Sequence, residues 1–419
     1  MSRLWPVRRP SSASGRPTPQ VSGSPQPARM LALATAGFMT GFWAWALLGP
    51  LGPTLREDLG LSSFQQSLVV AVPVVVGSLG RIPVGALTDR VGARRMFPLV
   101  SALTILPVLY LGHLADSFAE FLIGGFFLGL GGTTFAVGVP FVNAWYPPER
   151  RGLALGVFGI GTGGTAVSAF TTVQLADAVD RSFPFTLVAG ILAVYAVTAH
   201  FLLRDQPERV VPGGSLLART TATMRMPTAW QLAFLYAVGF GGFVAFSVYL
   251  PTYLTTAYDL GRSDASLRTA GFVVLAVAAR PVGGWLSDRF HPTPVLIGAY
   301  AALTALALLA SLRLALMPFG TLAFLGMAAA LGTASGAVFA LVARVVPAGQ
   351  VGAVTGLVGA AGGLGGFFPP LVMGAVYSVS DDYTWGYLLL ALVAAAACAF
   401  TATVIRHRAL RPDVRGRGA

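Results

Sequence analysis

Two arginines stand where charge is costly. Arg81 opens RIPVGALTDR (81–90) and Arg280 opens RPVGGWLSDR (280–289), 199 residues later. Each follows an apolar run, Val69–Val76 in one case and Gly271–Ala279 in the other, and each precedes an Asp-Arg pair by eight residues. At about 1.5 Å per helical residue, that spacing sets each arginine roughly 12 Å inward from its Asp-Arg turn. Guanidinium is a planar fork of donors that matches an oxyanion, so two forks could close on one small anion. The other use of a buried arginine is a pair with a buried acid. All sixteen Asp and Glu fall in tails, loops or helix ends, with Glu120 nearest to an exception, and His113, His200, His291 and His407 do likewise. The two charges therefore lack a side-chain counter-ion, and an anionic substrate is expected to supply it.

Glycine is the second unusual residue. GVFGIGTGGT (156–165) has a partner in GLVGAAGGLGG (356–366), and both lie in apolar runs. Small residues at this spacing let helix backbones approach closely, and a close approach leaves room for a substrate of only a few atoms. Thr162 is the one hydroxyl among the first set of glycines. A Walker-type phosphate loop is excluded, because no Lys-Ser/Thr follows and the chain has no lysine.

The elements that must hold these residues follow from composition. Of 419 residues, 55% are hydrophobic and 11% charged, against about a quarter charged in soluble domains. Apolar stretches long enough to span a membrane lie near 31–52, 66–88, 96–114, 119–143, 152–174 and 184–203. A second six lie near 229–256, 268–287, 294–313, 319–343, 352–377 and 385–405. The expectation is an all-α membrane protein with twelve transmembrane helices in two pseudo-symmetric six-helix bundles, residues 30–203 and 229–405. A disordered basic tail (1–29), a cytoplasmic linker (204–228) and a basic tail (406–419) complete the division. Such paired halves are the plan of many secondary transporters.

Orientation comes from the 28 basic residues, all arginine, against 16 acidic ones. Arg90, Arg94, Arg95, Arg150, Arg151, Arg289, Arg344 and both tails fall on one side, so both termini are expected in the cytoplasm and the protein in the cell membrane. The net charge of +12 is spread through short loops with no basic patch bearing aromatics, which argues against nucleic acid. One cysteine, Cys398, excludes a disulfide framework and a Cys/His metal site. No cofactor loop or nucleophile–base pair is visible, so no cofactor, no metal and no enzymatic activity are expected. No output domain that would make the chain a sensor is expected beyond residue 405. The partners expected are the lipid bilayer and a small anion, with the chain acting as a monomer.

GALTDRVGARR (85–95), with a degenerate copy in GGWLSDRF (283–290), resembles the signature loop of the major facilitator superfamily. There Asp89, Arg90, Asp288 and Arg289 would form the gating loops, each acid meeting a helix end or an arginine. The arginines of the second and eighth spans, with ALGVFGIGTGGTAVSAF and GLVGAAGGLGGFFPP, resemble the nitrate/nitrite porter family within it. The resemblance covers about residues 31–405. It departs at Thr162, where the family commonly has asparagine.

That resemblance implies a substrate site. Arg81 and Arg280 would clamp the anion, and Phe135, in GGTTFAVGVPF, would pack on it. Tyr236 and Phe240, in LYAVGFGGF, would form an aromatic wall with a hydroxyl. Thr162, Gly161, Gly163 and Gly363 would complete the pocket. Flat rings would favour trigonal nitrate or bent nitrite. With no protonatable group at membrane depth, nitrate/nitrite exchange by alternating access is expected over proton-coupled uptake. A carrier of a short carboxylate or cyanate is the alternative within the same fold.

Overall fold

The structure is a computed structural model that describes residues 26–61, 63–207, 216–380 and 382–406. Among the described residues, twelve helices are long and apolar enough to cross a membrane. In the first half they are α1 (Gln26–Gly52), α2 (Leu68–Val91), α3 (Ala93–His113), α4 (Phe118–Trp145), α5 (Pro148–Ala178) and α6 (Phe183–Leu202). The second half has α7 (Pro227–Ser247), α8 (Leu267–Phe290), α9 (Pro292–Ser311), α10 (Leu316–Val345), α11 (Val351–Pro369) and α12 (Thr384–Ile405). No strand occurs among the described residues. In hydrocarbon each backbone polar group must be satisfied within its own segment, and an all-helical chain does that.

Differences from the expected edges have local causes. Residues 26–29, inside the stretch expected to be a tail, are helical as part of Gln26–Trp45, and Pro27 there is compatible with a first helical turn. The remainder of that tail (1–25), residues 208–215 of the linker, and the C-terminal tail from 407 lie outside the described residues. The linker is not wholly irregular, since Leu216–Met224 forms a short helix. Its start is tied down as well. Trp145 Nε1 donates to the Arg204 carbonyl at 3.1 Å, and the Arg94 backbone N–H donates to Asp205 at 3.1 Å.

Four spans of the first half are not plain α-helix. A turn at Ala46–Leu47 interrupts α1, and one at Gly80 interrupts α2 directly before Arg81. Gly129–Thr133 in α4 and Ile160–Gly163 in α5 wind as tighter 3₁₀ turns. Their counterparts in α10 and α11 stay α-helical through Thr321–Val345 and Val351–Ser380. Such mid-helix tightening often marks a functional site.

The halves meet along two seams, α2 against α11 and α5 against α8. Each seam is drawn tight by glycine. A side chain at Gly85 would strike the Gly352 carbonyl, and one at Gly284 would strike the Gly152 carbonyl. Farther along, Gly356 lies on the Arg81 carbonyl and Gly156 on the Arg280 carbonyl. All four contacts lie between the arginines and the end of the bundle that carries both Asp-Arg pairs.

The opposite end holds ion pairs in its loops. Arg181 meets Asp116 at 3.2 Å and Asp58 at 3.7 Å, and Arg313 meets Asp382 at 3.3 Å. Asp180 is held below the ordinary carboxylate range, chiefly by the Ser182 hydroxyl and the backbone N–H of Ser182.

Candidate functional site

Arg81 and Arg280 come from facing helices of the two halves, and both are buried, at 1% and 2% exposure. Burying two cations at mid-span costs several kcal/mol each unless donors are satisfied. Backbone carbonyls do part of this. Arg81 donates from Nε to Gly132 at 3.0 Å and from Nη1 to Gly359 at 2.7 Å. Arg280 donates from Nη1 to Gly159 at 3.2 Å. Gly132 and Gly159 belong to the glycine-rich stretches of α4 and α5, where winding tightens.

Carbonyl dipoles thus stabilise both cations, a contribution that a count of side chains leaves out. The compensation is incomplete. Arg81 Nη2 and Arg280 Nε and Nη2 have no hydrogen-bond partner, and among the described residues neither arginine has a carboxylate within ion-pair reach. Three buried N–H-bearing nitrogens are thus left for an acceptor.

Aromatic rings line the same space. Phe135, Tyr236 and Phe240 form one stack that crosses from the first half to the second. Phe135 and Tyr236 are 6.0 Å apart at 9°, and Tyr236 and Phe240 are 5.0 Å apart at 5°. The Arg81 guanidinium carbon lies 5.3 Å from the Phe135 ring centre and 5.9 Å from that of Phe240, while Arg280 lies 5.1 Å from Phe240. Ring faces are electronegative and favour cations at these distances. The stack therefore does two jobs, supporting the arginines and presenting flat apolar faces.

Three further rings belong here. Phe42 is 5.5 Å from the Arg81 guanidinium and Phe243 is 5.0 Å from that of Arg280. Phe339 meets both Phe135 and Tyr236 edge-on, at 4.9 and 4.6 Å. Phe243 could have been found from its spacing, since it stands three residues after Phe240, on the same helical face. Phe42 and Phe339 could not be distinguished from ordinary packing.

The remaining site candidates are distributed unevenly. Thr162 is buried, and its hydroxyl donates to the Gly159 carbonyl at 2.8 Å, the same carbonyl that receives Arg280. Gly161 faces Phe38 of α1. Gly163 lies loosely against Met39 and Val277, at 3.7 and 4.0 Å from where a Cβ would stand, whereas Gly363 lies directly on Ser78. A cavity of about 10 Å³ remains beside Arg280, lined by Phe135, Gly159, Tyr236, Ser335 and Phe339 among others. It has room for about one water molecule.

The two acids of the Asp-Arg pairs meet helix ends. Asp89 accepts from the backbone N–H groups of Gly352 and Ala353, both at 3.0 Å. Asp288 accepts from Gly152 and Leu153 at 2.8 and 2.7 Å. Each carboxylate thus caps the first turn of a helix in the opposite half, where orphan N–H groups and the helix dipole favour an anion. Arg90 and Arg289 are exposed, and the Arg289 guanidinium lies 5.8 Å from the Trp285 ring. No group of three or more potential metal ligands occurs among the described residues.

The sequence profile of the Major Facilitator Superfamily matches residues 33–368 and 232–418. The chain is 50% identical over 380 residues to a probable nitrate/nitrite transporter, NarK2, of Mycobacterium tuberculosis, covering 90% of this chain and 96% of that protein. It is 38% identical to the nitrite extrusion protein of Bacillus subtilis, over 88% and 92% of the two chains. Among solved structures it is similar to the human organic anion transporter MFSD10, with a TM-score of 0.74 at 17% identity over 90% and 100% of the chains. It is also similar to the proton:xylose symporter XylE, with a TM-score of 0.73 at 14% identity over 91% and 96%. At these identities the solved structures speak to the fold alone.

Proposed function

The chain belongs to the major facilitator superfamily, in its nitrate/nitrite porter family, and on that footing we propose that it carries nitrate and nitrite across the cell membrane by alternating access. The observation that carries this reading is the pair of buried arginines, one per half, with three guanidinium nitrogens unpartnered. A small oxyanion lying between the halves supplies the acceptors these nitrogens lack. Arg81 and Arg280 clamp it, and the Phe135–Tyr236–Phe240 stack holds its plane. The Phe135–Tyr236 spacing of 6.0 Å falls short of the roughly 7 Å that two van der Waals contacts to a planar anion need. Entry therefore requires those rings to part by about 1 Å.

The end bearing the Asp-Arg pairs faces the cytoplasm in this reading, because Arg90, Arg94, Arg95, Arg150, Arg151, Arg289 and Arg344 gather there. Asp89 and Asp288 act as the latches of that side, and they are released when the seams open. Thr162 shares the Gly159 carbonyl with Arg280 and so reaches the anion indirectly.

Transport runs as exchange, nitrate against nitrite. The only buried carboxylate among the described residues is Asp89, 8% exposed and already held by two N–H groups. No proton carrier then stands beside the arginines, and reorienting two incompletely compensated cations is disfavoured. The test is the initial rate of labelled nitrate uptake into proteoliposomes, loaded with nitrite or empty, with and without an inward proton gradient. Loaded vesicles should be at least tenfold faster, and the gradient alone should add little. Equal accumulation by empty vesicles under the gradient would replace exchange with proton symport. Faster counterflow of a short carboxylate or cyanate than of nitrate would overturn the substrate.

A further inference from the structure

The α2–α11 seam reads as a ladder of close contacts. Gly85 meets Gly352, the Arg81–Ile82 backbone meets Gly356, the Arg81 side chain meets Gly359, and Ser78 meets Gly363. The α8–α5 seam repeats it: Gly284 with Gly152, the Arg280–Pro281 backbone with Gly156, the Arg280 side chain with Gly159, and Val277 with Gly163. The last rung breaks the symmetry. Ser78 stands three residues before Arg81 as Val277 stands three residues before Arg280, so one seam carries a hydroxyl where the other carries a methyl-bearing carbon. Both lie one turn from an arginine, on the side away from the Asp-Arg pairs.

That hydroxyl is unsatisfied. Ser78 is completely buried and its Oγ has no hydrogen-bond partner. Helical serines and threonines ordinarily bond the carbonyl four residues back, and Thr88, Thr104 and Ser335 do so here at 2.7–2.8 Å. Ser78 forgoes that bond and turns toward Gly363 of the other half. Eight buried side-chain atoms lack partners among the described residues, and four of them belong to Ser78, Arg81 and Arg280. Those four come from one turn of α2 and from the matching arginine of α8.

We propose that Ser78 is a specificity-determining ligand whose hydroxyl donates to the third oxygen of nitrate while the two guanidinium forks hold the other two. Nitrite has only two oxygens, both taken by the arginines, so it gains nothing from Ser78. The proposal rests on the nitrate/nitrite reading above. It assigns discrimination between the two anions to a side chain other than the arginines and the rings.

The experiment compares KM for nitrate and for nitrite in nitrate-loaded proteoliposomes, for the wild type, Ser78→Ala and Ser78→Cys. Cysteine keeps the shape but is a weak donor. Both variants should raise the nitrate KM about tenfold, the size of one charge-assisted hydrogen bond, and the nitrite KM less than twofold. Two results overturn the proposal: Ser78→Ala shifting both anions alike or neither, and Ser78→Cys matching the wild type, which would make the site one of volume. If the wild type carries neither anion, the functional reading fails and this one with it. An active wild type with an unchanged ratio in Ser78→Ala removes the role of Ser78 alone.

Discussion

Arg81 donates from Nη1 to the carbonyl oxygen of Gly359 at 2.7 Å, and this bond crosses from one half of the protein to the other. Arg280 makes the matching bond to Gly159 at 3.2 Å. The cations proposed to hold the substrate are thus also fasteners between the halves. In the proposed reading the anion takes the free nitrogens of guanidinium groups whose Nη1 atoms hold the other half, which would couple binding to the relative position of the bundles.

Replacing either fork with a point charge separates these roles. Arg81→Lys and Arg280→Lys should reach the membrane at wild-type abundance yet lose at least 90% of nitrate exchange, because an ammonium cannot bond carbonyl and anion with fixed geometry. Uptake normalised to protein in the vesicle is the measurement. Rates near wild type in either variant would mean that charge alone suffices.

The aromatic stack makes a different prediction. Phe135→Ala removes the ring that faces both Arg81 and Tyr236, so apparent affinity for nitrate should fall by about tenfold, within the 0.5–2 kcal/mol of a cation–π contact. Tyr236→Phe keeps the stack and should cost much less than Tyr236→Ala. Competition by unlabelled nitrate gives the affinities, and equal losses in the two Tyr236 variants would assign the effect to the hydroxyl.

The glycine contacts near the Asp-Arg pairs can be tested by one carbon atom. In Gly85→Ala or Gly284→Ala the new methyl would overlap the carbonyl of Gly352 or Gly152, so the seams could not close at that end. A cysteine placed at Leu155, beside the small cavity, in a Cys398→Ser background, reports access from that side. Labelling by a water-soluble maleimide should rise severalfold with either alanine, and exchange should fall by more than tenfold. Unchanged labelling would show that the helices can shift to admit the methyl.

Much of the fold was legible because hydrocarbon thickness sets the length of apolar runs, and the repeated arginine motif announced the halves. The expectation that Asp89 and Asp288 each meet a helix end or an arginine left the partner open, and backbone N–H groups of the opposite half are the partners observed. What escaped was carried by the backbone. Gly132, Gly159 and Gly359 matter through carbonyl oxygens, which every residue has, so no residue type marks them. The tight turns at Gly129–Thr133 and Ile160–Gly163 were equally hidden, because glycine accepts either winding and neighbouring helices decide. Phe42 and Phe339 were lost among 27 phenylalanines. Gly161 sits among the site glycines in sequence, but a turn of winding aims it at Phe38.

The capping of α11 by Asp89 and of α5 by Asp288 places four amide protons, on Gly352, Ala353, Gly152 and Leu153, in an unusual position. Their acceptors belong to the other half of the molecule, so these protons are shielded only while the halves touch at that end. Deuterium incorporation at these four amides would therefore time the proposed transport cycle with no attached probe and no substitution. Adding substrate should speed it in step with turnover, while amides in the middle of α3 or α9, bonded within their own helices, keep their pace.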